Sequence, residues 1–127
     1  MAKITVASAK GKGRGFQQWV AKQISKITGC EYGKDLDIES RQMGGSGVDV
    51  ILRGEAKKLF PFAVECKRQE KKSIPFSWVE QAKANVGDFK TWLLFCRRSN
   101  EKAIVIMDAE EFFKLYKLFL FLDQNIK

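Results

Sequence analysis

Residues 48–67, VDVILRGEAKKLFPFAVECK, decide how this chain is read. VDVIL (48–52) is short and β-branched, and LFPFAVECK (59–67) is a second apolar run, with Pro61 near its start, where a strand tolerates proline. Side chains two apart on a strand share a face, so Glu65 and Lys67 project together while Val64 and Cys66 face the other way. If the two strands are neighbours, the Asp49 carboxylate meets that of Glu65 at a strand spacing of roughly 5 Å. Two carboxylates so close repel unless a cation lies between them, and an oxygen pocket of this kind suits Mg²⁺, with Mn²⁺ as a substitute. The Cys66 carbonyl is a third candidate metal ligand. Such a metal would acidify a bound water and neutralise charge on a phosphate under attack, and Lys67 would orient that water, meet the charge or act as a base. The same D…E-x-K spacing also arises from a turn aspartate and a solvated pair on an edge strand.

Ahead of these strands, Phe16, Val20, Ile24 and Ile27 recur at helical spacing and predict a helix over about 15–28, closed by Thr28-Gly29. Residues 1–14, rich in glycine and lysine, read as a flexible basic arm. The polar stretch 33–47 contains LDIES (36–40), a possible short strand, and GGSG (44–47), a mobile loop. Beyond RQEKKS (68–73), Pro75 suits a first helical turn, Phe76, Val79, Ala82 and Val86 mark one face, and Gly87 ends the helix. TWLLFC (91–96) and AIVIM (103–107) read as strands joined by the charged turn RRSNEK. Asp108 and Glu111 form a D-x-x-E start for a last helix running to about 122. The order αβββαββα implies an α/β fold, a mixed β-sheet flanked by helices, in a single domain over 1–127.

Composition narrows the chemistry. Histidine is absent, which removes zinc–histidine sites, the Ser-His-Asp triad and any histidine base. Cys30, Cys66 and Cys96 are far apart with no C-x-x-C pair, so neither a disulfide framework nor a zinc knuckle is expected, and a reducing cytoplasm fits. No secretory h-region follows the N-terminus, and no apolar run reaches the ~18 residues of a membrane span. The 23 lysines and arginines against 15 acids give a net charge of +8, which attracts polyanions, nucleic acid first among them.

GVDVIL (47–52) followed by FAVECK (62–67) resembles the paired-strand signature of the PD-(D/E)XK nuclease superfamily. KGKGRGFQQWVAKQI (10–24) is similar to the opening helix of its Holliday-junction-resolvase branch, small phage-encoded proteins included. The resemblance spans about 10–107. It implies a restriction-endonuclease-like fold, Asp49 and Glu65 as metal ligands, Lys67 as the catalytic lysine, and Ser40 with Arg41 close to the scissile phosphate. Ser46 competes with Ser40 for that hydroxyl role. The family's first helix usually offers a glutamate where this chain has Gln17, followed by Gln18; an amide can hold a water on the metal but brings no charge. Glu31 or Glu39 could fill the gap, although neither matches the pattern. Gln69 would continue the face of Glu65 and Lys67 if the strand persists, and Gln81 lies on the next helix, where the superfamily often has a polar residue.

Lys10, Lys12, Arg14, Arg68, Lys71 and Lys72 flank the site and would bind DNA phosphates without reading sequence. The last helix is apolar over more of its surface than one core-facing stripe requires, which points to a homodimer able to cut a four-way junction symmetrically, or else to a fully internal helix. The expectation is a junction-resolving, Mg²⁺-dependent endonuclease in the cytoplasm. Its alternatives are a nuclease on linear or single-stranded DNA and a non-catalytic DNA-binding module, with RNA binding disfavoured by the lack of an RRM- or KH-like signature.

Overall fold

The computed structural model describes residues 6–42 and 45–126. Its elements run α1 (Val6–Thr28), β1 (Ile38–Ser40), β2 (Val50–Leu52), α2 (Gly54–Leu59), β3 (Phe62–Arg68), α3 (Phe76–Ala84), β4 (Thr91–Arg97), β5 (Ile104–Met107) and α4 (Ala109–Ile126). The strands form one sheet in chain order. The β1/β2, β2/β3 and β4/β5 pairs are antiparallel, and β3/β4 is parallel. A parallel pair needs a long crossover, and α3 lies within it. This is the α/β class with a mixed sheet flanked by helices, compatible with a restriction-endonuclease-like fold.

The expected order lacked one element. RGEAKKLF is a short helix, α2, rather than the lead into a strand, with Glu55 in its first turn, Lys57 and Lys58 in its last, and Ala56 buried. It takes residues 54–59, so β3 starts at Phe62 instead of 59. Six residues carry too little periodicity for a helix to be read from sequence.

The strand register divides the core. Val64 on β3 pairs with Val50 on β2, and both pack under Phe16, Val20, Ala21 and Ile24 of α1. On the opposite face, Trp92, Leu94 and Cys96 of β4 pack with Ala82 of α3. Because Glu65 is paired with Leu94, it belongs to the α3 face.

Helix α1 begins at Val6, so residues 6–14, read from sequence as an arm, continue it as helix; residues 1–5 lie outside the described residues. Gly29, at φ +75°, closes it and donates its N–H to the Ser25 carbonyl. Ile27 is 73% exposed, because the buried stripe runs through 16, 17, 20, 21 and 24 and stops a turn earlier. Phe76, expected on the core face of α3, is 82% exposed, so this helix is anchored from Ala82 with Trp78, Val79 and Val86 partly buried.

Candidate active site

Asp49 immediately precedes β2, and its N–H donates to the Val64 carbonyl at 2.9 Å. Extending the antiparallel register by one residue sets Asp49 across from Glu65. The Asp49 carboxylate is oriented by the backbone N–H of Cys66, which donates to its Oδ2 at 2.7 Å. Glu65 is 1% exposed, and its Oε1 accepts a 2.6 Å hydrogen bond from Asn85 Nδ2 at the end of α3. Burial, and then the negative charge of Asp49, push the Glu65 carboxyl up to about 7, against the opposing pull of Asn85 and Lys67. The sheet therefore brings the expected carboxylate pair together, Glu65 buried and Asp49 half-buried, where two charges so close call for a proton or a cation.

Lys67, two residues along the same face of β3, donates from Nζ to Gln81 Oε1 at 2.8 Å. One residue of α3 thus positions the lysine and another positions the glutamate. Gln81 was a minor expectation and Asn85 was not foreseen. Nothing in the sequence singles out Asn85, which lies two residues before the Gly87 expected to end the helix, and only the packing of α3 on β3 and β4 carries it to Glu65.

Cys66 faces the α1 side, and burial followed by the charges of Asp49 and Glu65 pushes its thiol well above the usual range, so its sulfur stays protonated. Its backbone carbonyl remains the candidate oxygen. Gln17 is buried on the core side of α1, with an Oε1 that has no hydrogen-bond partner among the described residues. An orphaned acceptor in such a place is costly unless water or a cation meets it. Glu39 is tied to Arg53 at 2.8 Å and Glu31 is exposed, so neither joins the pair. Among the described residues no group of three or more His, Cys, Asp or Glu side chains could hold a metal. The anionic donor set is two carboxylates, which fits a hard cation that keeps much of its water.

Ser40 ends β1 and lies 3.3 Å from the Tyr32 hydroxyl. Arg41 gives its backbone N–H to the Asp49 carbonyl and its Nε to the Val48 carbonyl. It therefore holds the loop leading into Asp49. Ser40, Arg41, Gln42, Arg14 and Gln18 line a second hollow. Ser46 is exposed in the loop before Asp49.

Of the expected phosphate-binding residues, Lys12 and Arg14 are exposed on α1, and the Lys10 side chain lies outside the described residues. Arg68 binds Glu70 at 2.6 Å and Ser99 at 2.9 Å, so its guanidinium clasps the β4–β5 turn to the end of β3. Glu70 also accepts from Ser99, and these bonds hold its carboxyl down at about 2. Gln69 falls beyond the end of β3 and is exposed. With Lys67, Lys71 and Lys72 it lines a hollow of about 140 Å³ that also includes Trp78 and Arg97. The β4–β5 turn thus contributes cations where the sequence shows only a plain charged turn. Lys71 Nζ lies 5.9 Å from the Trp78 ring centre, a cation–π arrangement at the rim of the hollow.

An aspartate one residue ahead of β2, which starts at Val50 rather than at the expected 48, a glutamate across from it on β3 and a lysine two residues beyond the glutamate define the class: a PD-(D/E)XK-type nuclease site on a mixed α/β sheet. Residues 8–122 match the model of the family described as phage putative PDDEXK endonuclease, and the chain belongs to that family. Searches of curated proteins and of solved structures each found no match.

Proposed function

We propose that this chain is a Mg²⁺-dependent endodeoxyribonuclease acting in the cytoplasm on branched DNA, four-way junctions above all, with Mn²⁺ able to substitute. The observation that carries the hydrolytic reading is the Asp49–Glu65 pair, with Glu65 driven up to about 7 and Lys67 two residues along the same face. Family membership supports endonuclease activity. The junction preference rests on the resemblance of the opening helix, residues 10–24, to that of resolvases.

Asp49 and Glu65 would hold the cation, with the Cys66 carbonyl as a further oxygen and the Gln17 amide holding a water on it. When bound, that cation supplies positive charge against the scissile phosphate and makes water more acidic. Lys67, held by Gln81, meets charge building on the phosphate and orients the attacking water. Asn85 fixes the Glu65 carboxylate in the orientation that faces Asp49. Lys71, Lys72 and the cations of the β4–β5 turn hold the DNA backbone alongside, while Arg14 and Arg41 line the other hollow and Lys12 is exposed on α1.

The decisive assay compares synthetic four-way junction, duplex and single-stranded DNA on gels with Mg²⁺. Junction cleavage that is lost in Asp49→Asn is the expected result; equal cutting of all three substrates would remove the junction preference and keep the nuclease. The glutamine at position 17 favours a second reading, a DNA-binding module without activity. A wild-type protein that binds junctions yet cuts none of these DNAs with Mn²⁺ would establish that reading instead.

A further inference from the structure

Helix α4 is the physical anomaly of this molecule. Asp108 caps it, its Oδ1 accepting the Glu111 N–H at 3.1 Å, and eighteen residues follow without interruption. Among the described side chains, none of α4 belongs to either core cluster. Nine large apolar side chains from Phe112 to Leu122 are each between 43% and 68% exposed. They do not form one stripe. At 100° per residue, positions 112, 113, 115, 116 and 118–122 surround the axis, so at least two flanks need cover.

Taking about 200 Å² for a full side chain of this size, the exposed apolar area on α4 is roughly 900 Å². That exceeds the largest patch usual on a monomer, about 300–600 Å², and matches the ~800 Å² that each partner contributes to a stable protein interface. The helix carries three acids and two lysines. It is thus a nearly neutral surface on a chain of net charge +8, where two copies can meet without strong repulsion. A lipid surface would cover one flank only, and an interfacial helix carries a basic polar face that α4 lacks.

The rest of the chain offers a matching bare surface. Val105 on β5 is paired with Phe95 and therefore lies on the α1 face of the sheet, where it is 48% exposed. Trp19 on α1 is 42% exposed and borders an open hollow with Ala103, rimmed by Arg97 and Lys102.

We infer that α4 crosses to a second copy of this chain. There it lies over the α1-side face of that copy's β4 and β5, against its Trp19 and Val105, while its other flank meets that copy's own α4. The interface is two-fold and reciprocal, each copy giving a helix and receiving one. This goes beyond the proposed nuclease activity and does not depend on it, because the readout is mass rather than cleavage.

The test is light scattering coupled to size exclusion on the full chain, with near-ultraviolet circular dichroism as a check on folding. Wild type is expected at twice 14.5 kDa. Two variants, Leu118→Glu with Phe119→Glu on α4 and Val105→Glu on the receiving face, are each expected to run as monomers with an unchanged spectrum. If a variant fails to fold, hydrogen exchange on wild type decides: α4 amides should be protected at high protein concentration and lose protection on dilution. A monomeric wild type, with or without binding to anionic vesicles, overturns the inference. So does a dimer that survives the α4 substitutions, or α4 amides whose exchange ignores concentration. A dimer broken on α4 but indifferent to Val105→Glu overturns the seating on the sheet.

Discussion

The arrangement around Glu65 makes opposite demands on stability and on activity. A carboxyl held at about 7 in the fold and at its ordinary 4.5 when unfolded keeps an extra proton in the native state between those values. Its contribution is therefore fullest at low pH, falls as pH rises from 4.5 to 7, and is gone above, where the buried charge stands unrelieved; the span is on the order of 3 kcal/mol. Metal-free protein should melt lower at pH 8 than at pH 5.5, Mg²⁺ should raise the melting temperature more at pH 8, and Glu65→Gln should flatten the difference while abolishing cleavage. A melting curve independent of pH across this window would contradict the burial of Glu65 beside Asp49. Lys67→Ala should reduce cleavage at least a hundredfold and leave junction binding within a few-fold, because the lysine meets charge that builds only as the phosphate reacts. Equal losses in both assays would make it a binding residue. Asn85→Ala removes a bond that lowers the Glu65 pKa, so the pH–rate profile should shift to higher pH, an effect that a purely structural asparagine would not produce.

At the scale of elements, the sequence made the parts visible and hid their joints. Periodicity revealed the buried stripe of α1, and alternation placed Glu65 with Lys67, because both signals are local. Asp49 opposite Glu65 was legible only on the assumption that the strands are neighbours, which the register satisfies. Nothing local marked Asn85 or the Arg68–Glu70–Ser99 clasp, because each joins residues 20 or more positions apart or depends on where a turn docks. The turn between β4 and β5 is the clearest case. RRSNEK reads as an ordinary solvated connection, yet Arg97, Arg98 and Lys102 share a hollow with Lys67 and Lys71. Charge reversal at Lys102, paired with reversal at Lys72, should weaken DNA binding at low salt, and the slope of log affinity against log salt should become shallower by about one for each phosphate that the variant no longer neutralises. Binding that weakens with an unchanged slope would place these lysines away from the backbone path.

At the scale of the whole molecule, both core clusters are completed within the segment that ends at β5, and every residue assigned to the site lies at or before residue 102. A chain that stops at Asp108 should therefore remain folded, with a near-ultraviolet spectrum close to that of the full protein. Association is the property it should lose. The melting temperature of a dimer rises with protein concentration, because mass action stabilises the form that binds a partner, whereas that of a monomer does not. The full chain should show this dependence and the shortened chain should not. Cleavage should divide in the same way: each site is built from one chain, so the shortened protein should still nick one strand of a junction, while paired incisions within one binding event need two sites held together. Paired cutting that survives removal of α4 would mean that the two sites are joined by another surface, or that one site acts twice.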